Sequence, residues 1–177
     1  MEKIILFNNK CEELLRYTTN KDKPVPILLV NTPRDYYIPL SVSGGMNDKL
    51  THAGNFGVTV SKDTLGMLYG VEAEYYVRMN FTGFIDIINA MGGVDVYSEY
   101  AFTACGYPIQ KGMNYGLNGF QALGFARERK NLSAGDNQRG KNQMHVIEAV
   151  IKKALSPDLL VNYTSVLSGV EGSFETN

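Results

Sequence analysis

Three arginines, Arg127, Arg129 and Arg139, form the densest group of guanidinium side chains in the chain, within the segment 117–143. Residues i and i+2 of an α-helix point about 200° apart, so Arg127 and Arg129 can contact one ligand only where the chain is extended. The spacing therefore predicts that a helix ends near Phe125. Guanidinium groups presented in this way would suit a ligand with several anionic oxygens, such as a phosphate or pyrophosphate.

A second helix is predicted to begin directly after this segment, with Asp136 as its N-cap. Arg139 and Gln143 would then lie at positions i and i+4, on one face of its first two turns. The free N–H groups and partial positive charge of a helix start would favour the same anion. The alternative is an ordinary solvated charged loop, because Glu128 and Asp136 offset much of the charge of the arginines.

Arg34 and Asp35 follow a predicted buried strand at residues 25–31, at the edge where an α/β sheet presents its ligand loops. Asp35 and Asp48 could share Mg²⁺, which is often held by one or two carboxylates together with phosphate oxygens of the substrate. Aspartates in a loop are more often turn residues or caps, and Arg34 could simply pair with Asp35. The residues alone leave both interpretations open.

Arg78 and the two histidines of the chain are further candidates. Arg78 stands in an otherwise strand-like run, so its side chain must face solvent, snorkel or reach a ligand. A base, a phosphate ligand and a structural histidine are all compatible with His52, and we favour the last. His145 falls in the long predicted helix near the C-terminus, and the sequence identifies no partner for it.

Composition indicates a single domain, because 177 residues with 44% hydrophobic side chains suffice for one core. A formal net charge of −1 provides no general basic field, so we expect no nucleic-acid binding. Cys11 and Cys105 lie far apart and form no CxxC or Cys/His metal spacing. No apolar run approaches the roughly 18 residues that a membrane span requires, so we expect the chain itself to be soluble.

Apolar periodicity alternates between strand and helix along the chain. Strands are predicted at residues 25–31, 75–80 and 94–97, and helices at 11–16, 58–69, 81–91, 119–125, 136–155 and 157–167. Residues 32–47 are predicted to form a long loop, and residues 98–116 an irregular loop with one short hairpin. The alternation predicts an α/β fold, a three-layer α/β/α sandwich around a mostly parallel or mixed central sheet.

Motifs of several enzyme classes do not occur in this sequence. It contains no GxSxG, no HExxH, no P-loop and no GxGxxG with a dinucleotide-binding pattern. Phosphoryl transfer is compatible with these absences, because it can proceed by positioning and charge neutralisation, with a metal ion and arginines.

Five segments, taken in order, resemble one known family. They read NTPRDYYIPL, NDKLTHAGNFG, YYVRMNFTGFIDIINAMGGVDV, KGMNYGLNGFQALGFARERK and GDNQRGKNQM. Over residues 25–177 their order and spacing are similar to those of the LytR-CpsA-Psr family of bacterial cell-wall proteins. The resemblance implies an extracytoplasmic, Mg²⁺-dependent phosphotransferase that moves a glycopolymer, such as a teichoic acid or capsular polysaccharide, from a polyprenyl pyrophosphate carrier to a peptidoglycan hydroxyl.

The resemblance also implies roles for individual residues. Four residues match the segments that bind pyrophosphate in this family: Arg127, Arg129, Arg139 and Gln143. We add Arg78 as a candidate for the same ligand. Asp35 and Asp48 match the aspartates that hold Mg²⁺, and Arg34 and Asp35 are the candidate catalytic residues, with Arg34 assisting the transferring phosphate. The family sheathes its lipid in an apolar pocket, which aromatic residues and methionines of this chain could line.

Two features depart from the family pattern. Phe120 stands where the family usually has a glutamate. Residues 1–24 do not match the family's N-terminal pattern, so we interpret them as a divergent or truncated segment, with membrane association supplied by a segment absent from this chain. The alternatives to an active transferase are an inactive polyprenyl-phosphate-binding module and a transcriptional attenuator.

Overall fold

The computed structural model describes residues 3–7, 12–17, 25–73, 76–129, 135–157, 159, 166, 168 and 170–176. Side chains are described within these ranges from residue 32 onward, except at residues 135–137. The chain divides into two compact units, an N-terminal unit of Met1–Tyr76 with Asn177 and a C-terminal unit of Val77–Thr176. The domain boundary at residue 24 and the single-domain organisation stay predictions.

A mixed sheet begins the N-terminal unit, with strands β1 (Lys3–Phe7), β2 (Glu12–Tyr17) and β3 (Val25–Asn31). Strand β3 lies in the middle, parallel to β1 and antiparallel to β2, as its continuous apolar run predicts for a strand paired on both sides. The predicted helix at residues 11–16 is wrong. So short a helix is marginal in isolation, whereas pairing with β3 supplies hydrogen-bond partners to the β2 backbone.

A hairpin and two helices follow β3: β4 (Tyr37–Pro39), β5 (Asn47–Lys49), α1 (Leu50–Ala53) and α2 (Val58–Tyr69), with a 3₁₀ turn at Gly54–Phe56 between the helices. Strands β4 and β5 pair antiparallel, so the prediction of an unbroken loop over residues 32–47 is wrong. The backbone N–H of Ser43 donates to the carbonyl of Leu40 at 3.0 Å, and this turn folds the segment back on itself. Helix α2 ends where predicted, because Gly70 adopts the left-handed conformation.

In the described ranges, the C-terminal unit contains six strands and three helices: β6 (Val77–Met79), α3 (Phe81–Ala90), β7 (Val94–Ser98), β8 (Phe102–Ala104), β9 (Tyr107–Ile109), β10 (Gly112–Leu117), α4 (Gly119–Arg127), α5 (Gly135–Ala154) and β11 (Phe174–Thr176). Three antiparallel pairs form, β6 with β11, β7 with β10 and β8 with β9. Helices α3 and α5 confirm their predictions to within a residue. The predicted helix at 157–167 lies partly outside the described residues.

Residues 98–116, predicted to be largely irregular, are mostly strand. The β8–β9 hairpin turns at Cys105 and Gly106, which both have positive φ, at 48° and 84°. A two-residue turn of this kind matches the twist of the strands that it joins. The expectation of one short hairpin is therefore confirmed, whereas β10, which pairs with β7, was missed.

The core of the C-terminal unit lies where α3, α4 and α5 meet strand β7. Ile88, Val96, Phe125 and Val146 are all at most 1% exposed, and each comes from a different element. Helix α4 begins with the predicted cap: Asn118 accepts from the backbone N–H of Gln121, and Gln121 accepts in return from that of Asn118. Helix α4 is thereby fixed at its start and buried along its middle.

The described elements make a mixed α/β fold, with a parallel pair only between β1 and β3 among the pairs found. The predicted α/β class is confirmed at this level. The three-layer sandwich around one central sheet stays a prediction.

Replacing Gly119 with alanine should destabilise the C-terminal unit. A Cβ at this position would lie 2.3 Å from the carbonyl oxygen of Ile85, because α3 and α4 approach each other closely there. We expect the free energy of unfolding to fall by about 1–3 kcal/mol, as for other overpacked sites. Urea unfolding followed by circular dichroism measures the change. Gly54→Ala is the control, because nothing lies within 4 Å of its Cβ, and equal stabilities of the two variants would contradict the prediction.

Candidate active site

Helix α4 ends with Arg127, two residues later than predicted. The next residue, Glu128, is extended, with φ −60° and ψ 136°, so the chain leaves the helix between the two arginines as their spacing requires. The guanidinium carbon of Arg127 lies 4.4 Å from the centre of the Phe81 ring. A ring face holds a cation without occupying its N–H donors, so this contact orients Arg127 and leaves its hydrogen-bonding geometry suited to an anion.

Phe81 is a site residue that sequence reasoning missed. It is the first residue of α3 and is 59% exposed. An aromatic residue that is exposed at a helix start is the signal that could have identified it. Arg129 is also exposed, and its backbone N–H donates to the Glu128 carboxylate at 2.8 Å. The acidic residue between the two arginines is thus bound to the backbone beside them.

Helix α5 carries the second part of the predicted site. It begins at Gly135, one residue before the predicted cap Asp136, whose side chain lies outside the described residues. Arg139 and Gln143 are both half-buried and stand one helical turn apart, as predicted. Both therefore occupy the N-terminal half of α5, on neighbouring turns.

Two buried amides join α5 to the end of α4. Gln138 is 3% exposed and donates from Nε2 to Oδ1 of Asn142 at 3.2 Å. Asn142 is fully buried and donates from Nδ2 to the backbone carbonyl of Phe125 at 3.4 Å. The turn of α5 that carries Arg139 and Asn142 therefore lies against the last turn of α4, which carries Arg127. Sequence reasoning missed both amides, although polar residues at i and i+4 beside an apolar stripe were the available signal.

Arg78, the remaining residue that we predicted to bind the anion, pairs with a carboxylate of the protein. Arg78 lies on β6, and its guanidinium is 3.6 Å from the carboxylate of Glu175, its neighbour across the β6–β11 pair. Both side chains are more than half exposed. Of the three alternatives for the Arg78 side chain, the structure shows the one in which it faces solvent. A role in pyrophosphate binding, and the convergence of Arg127, Arg129 and Arg139 on one anion, stay predictions.

His145, for which the sequence identified no partner, lies in a group of charged residues on α5 and β7. Its ring is mostly buried and meets the ring of Tyr97 edge to face, with 5.7 Å between ring centres. The carboxylates of Glu99 and Glu148 lie within 4.0 Å of its ring nitrogens, and Lys141 contacts Glu99 at 3.3 Å. These contacts attach the middle of α5 to the end of β7.

Asp35 lies in the N-terminal unit, beside two cations. Nζ of Lys49 is 3.3 Å from one carboxylate oxygen and Nε of Arg34 is 3.4 Å from the other. The hydrogen bond from Lys49 is the larger cause that lowers the pKa of Asp35, and Arg34 adds to it. Backbone bonds from Thr51 N–H to the Arg34 carbonyl and from Leu50 N–H to the Tyr36 carbonyl, both 2.8 Å, hold this segment against the start of α1.

Asp48, on strand β5, pairs with His52 one helical turn later. Nδ1 of His52 lies 2.8 Å from Oδ1 of Asp48, and the backbone N–H of Lys49 donates to the same oxygen at 2.7 Å. The pKa of Asp48 is lowered first by the contact with His52 and then by this backbone N–H. Both side chains are nearly half exposed, so His52 is a surface histidine paired to a carboxylate.

Asp48 lies on β5 and Asp35 lies two residues before β4, and each carboxylate contacts a basic side chain. Among the residues that the structure describes, no group of three or more His, Cys, Asp or Glu side chains could hold a metal ion. Two carboxylates remain a suitable donor set for Mg²⁺, since this ion commonly takes its other ligands from water and substrate phosphates. The metal itself stays a prediction.

In the same described ranges, no helix is long and apolar enough to cross a membrane.

The sequence pattern of the LytR_cpsA_psr family matches residues 16–177. The chain belongs to this family. It is 42% identical over 149 residues to a protein of Bacillus mycoides (strain KBAB4) named polyisoprenyl-teichoic acid--peptidoglycan teichoic acid transferase TagU, with 84% of this chain and 48% of that protein aligned. The chain thus spans about half the length of the curated relatives that it matches.

Solved structures of the family have the same fold. The crystal structure of B. subtilis TagU superposes with a TM-score of 0.71 at 31% identity, covering 86% of this chain and 64% of that one. A structure described as TagT bound to LI-WTA superposes with a TM-score of 0.68 at 26% identity, covering 99% of this chain and 68% of that one. The resemblance read from the five sequence segments is confirmed.

Removing the imidazole of His52 should raise the pKa of Asp48. The contact with His52 is the largest cause of the lowered pKa of Asp48, because the ring nitrogen stabilises the carboxylate. A carboxyl group with a lowered folded-state pKa contributes stability above the usual aspartate pKa and loses it as the pH falls through the lowered value. Carbon-13 NMR titration in metal-free buffer should show a higher Asp48 midpoint in His52→Ala. His145→Ala is the control, and an unchanged midpoint in His52→Ala would refute the assignment.

Proposed function

We propose that the chain transfers a glycopolymer of the teichoic acid type from a polyprenyl pyrophosphate carrier to peptidoglycan. The observation that carries the proposal is the contact of Asn142 with the Phe125 carbonyl, which brings the Arg139 turn of α5 against the Arg127 turn of α4. A relative at 42% identity is named as a transferase of teichoic acid to peptidoglycan, and that name supports the same substrate class here. Capsular polysaccharide is the alternative glycopolymer that the same reaction would transfer.

The arginines supply the chemistry that a pyrophosphate donor requires. The acceptor hydroxyl oxygen forms a bond to the phosphorus that bears the glycan and releases its proton to solvent. The bond from that phosphorus to the bridging oxygen breaks, and polyprenyl monophosphate departs with the bridging oxygen. Negative charge grows on the departing phosphate as that bond lengthens. Guanidinium groups of Arg127, Arg129 and Arg139 and the amide of Gln143, from the end of α4, the segment after it and the N-terminal half of α5, would stabilise this charge.

Mg²⁺ is the proposed cofactor, with Asp35 and Asp48 as its protein ligands. The donor set fits, since Asp48 lies on β5, Asp35 lies two residues before β4, and both carboxylates contact exposed basic side chains that can move aside. A bound ion would neutralise phosphate charge during transfer. Arg34, which pairs with Asp35 at 3.4 Å, would assist by binding a phosphate oxygen once that carboxylate turns to the metal.

We further propose that the protein acts on the extracytoplasmic side of the membrane, where peptidoglycan is assembled, and that its complete fold is a three-layer α/β/α sandwich. The similarity to TagU and TagT structures supports both proposals. No nucleic acid is needed for this function.

A transfer assay tests the function. The chain is incubated with a synthetic polyprenyl-pyrophosphate-linked teichoic acid precursor, peptidoglycan fragments and Mg²⁺, and polyprenyl monophosphate is measured together with glycan attached to peptidoglycan. Formation of both products supports the proposal. Tight binding of the precursor with no product would identify the alternative, a binding module without turnover.

Replacing Arg139 with alanine should weaken binding of inorganic pyrophosphate. A charge-assisted contact in a half-buried position is lost, and such losses cost roughly 2–4 kcal/mol. Isothermal titration calorimetry measures the affinity. Lys153→Ala is the matched control, because it removes a cation from the last turn of the same helix. Equal affinities of wild type and Arg139→Ala would mean that the arginine cluster is only a solvated surface.

Asp35→Asn should abolish Mg²⁺-dependent turnover while it preserves the fold and most of the arginine-driven binding. The carboxylate is exposed, so its neutral isostere costs little in packing, whereas a metal ligand is lost. Product release is compared with and without Mg²⁺ in wild type, in Asp35→Asn and in Asp63→Asn, an exposed aspartate of α2. Normal turnover of Asp35→Asn, or turnover of wild type that ignores Mg²⁺, would refute the metal role.

A further inference from the structure

We propose that Asn142 is a positioning residue that sets the spacing between Arg139 and Arg127, so that the site prefers two linked phosphates to a single phosphate. The inference rests on the proposed anion site and adds a determinant of its specificity. Asn142 itself would touch no substrate, since its side chain is fully buried.

Helix α5 carries two parallel rows of polar side chains. Gln138 and Asn142 form an inner row one helical turn apart, and Arg139 and Gln143 form the next row, each displaced by one residue. Neighbouring residues of a helix are separated by a rotation of about 100° and a rise of about 1.5 Å, so neither row can move along the helix without the other. The depth and register of the inner row therefore fix the outer row.

The inner row is attached to α4 at one point. Nδ2 of Asn142 donates to the carbonyl of Phe125, which belongs to the last turn of α4. Carbonyls in the last turn of a helix lack partners within that helix, and a buried one must find a partner elsewhere. Phe125 is fully buried and lies two residues before Arg127. The same hydrogen bond therefore satisfies the helix end and defines the distance from the Arg139 row to Arg127.

The chemistry of the inner row favours positioning over simple packing. Amides at buried helix positions lose solvation, and asparagine has poorer helix propensity than leucine or alanine. The 3.2 Å bond from Gln138 to Oδ1 of Asn142 orients the Asn142 amide so that its nitrogen faces Phe125. An apolar side chain would pack α5 on α4 without specifying their register, whereas a directional bond specifies it.

Spacing matters more for pyrophosphate than for phosphate. One phosphate can be bound by whichever arginine is nearest, but two linked phosphates gain from two arginines only when the separation of the guanidinium groups matches that of the phosphates. Loss of the Asn142 contact should therefore reduce the advantage of pyrophosphate over phosphate. A general loss of stability would reduce both affinities alike.

The test measures binding of inorganic pyrophosphate and of orthophosphate by isothermal titration calorimetry, with EDTA present so that only protein groups contribute. Asn142→Leu keeps the branched shape of the side chain and removes the directional bond. We expect its pyrophosphate affinity to fall about tenfold, equivalent to about 1.4 kcal/mol, and its phosphate affinity to change less than about threefold. Val146→Ala is the matched control, since it destabilises the same helix at a buried position without touching the amides.

Each outcome decides the inference. A pyrophosphate-to-phosphate ratio that falls in Asn142→Leu and not in Val146→Ala supports it. An unchanged ratio in a folded Asn142→Leu protein overturns the inference alone, and the proposed function stands. No pyrophosphate binding by wild type overturns both. If circular dichroism shows that Asn142→Leu is unfolded, Gln138→Met replaces it, because losing the orienting bond to Asn142 should lower the same ratio, and an unchanged ratio there overturns the inference.

Discussion

The hydrogen bond from buried Asn142 to the Phe125 carbonyl is the interaction on which the candidate site depends. Phe125 belongs at once to the core of the C-terminal unit and to the helix end that presents Arg127. Any displacement of α5 from this point would expose an unsatisfied carbonyl and loosen the packing of a fully buried ring. The geometry of an exposed cationic site is thus determined by the most buried part of the unit.

The two candidate regions carry opposite charges, and each charge is stabilised by a different kind of contact. Arg127 rests on the face of the Phe81 ring, which balances a cation without a carboxylate. The carboxylates of Asp35 and Asp48 instead have Lys49 and His52 beside them, and these contacts lower the pKa of both aspartates. Arg127 and the two carboxylates are thus stabilised by contacts of different kinds, a ring face in one region and basic side chains in the other.

Local signals in the sequence were sufficient for helices that have their own start and stop residues. Helix α4 begins directly after Asn118 and helix α2 ends directly before Gly70, as their predicted ranges have it. The failures were segments whose structure depends on a distant partner. Strand β2 exists because β3 pairs with it, and β10 exists because β7 does, so neither could be derived from residues within its own range.

By itself the sequence determined the family, the arginine segments and the positions of Asp35 and Asp48, because residue types and spacing carry these features. Tertiary structure decided the partners of those residues: Phe81 for Arg127, Lys49 for Asp35, His52 for Asp48 and Glu175 for Arg78. It also decided that Gln138 and Asn142 are buried and face α4. The physical reason is that a contact energy depends on distance and burial, which arise only when separate segments pack together.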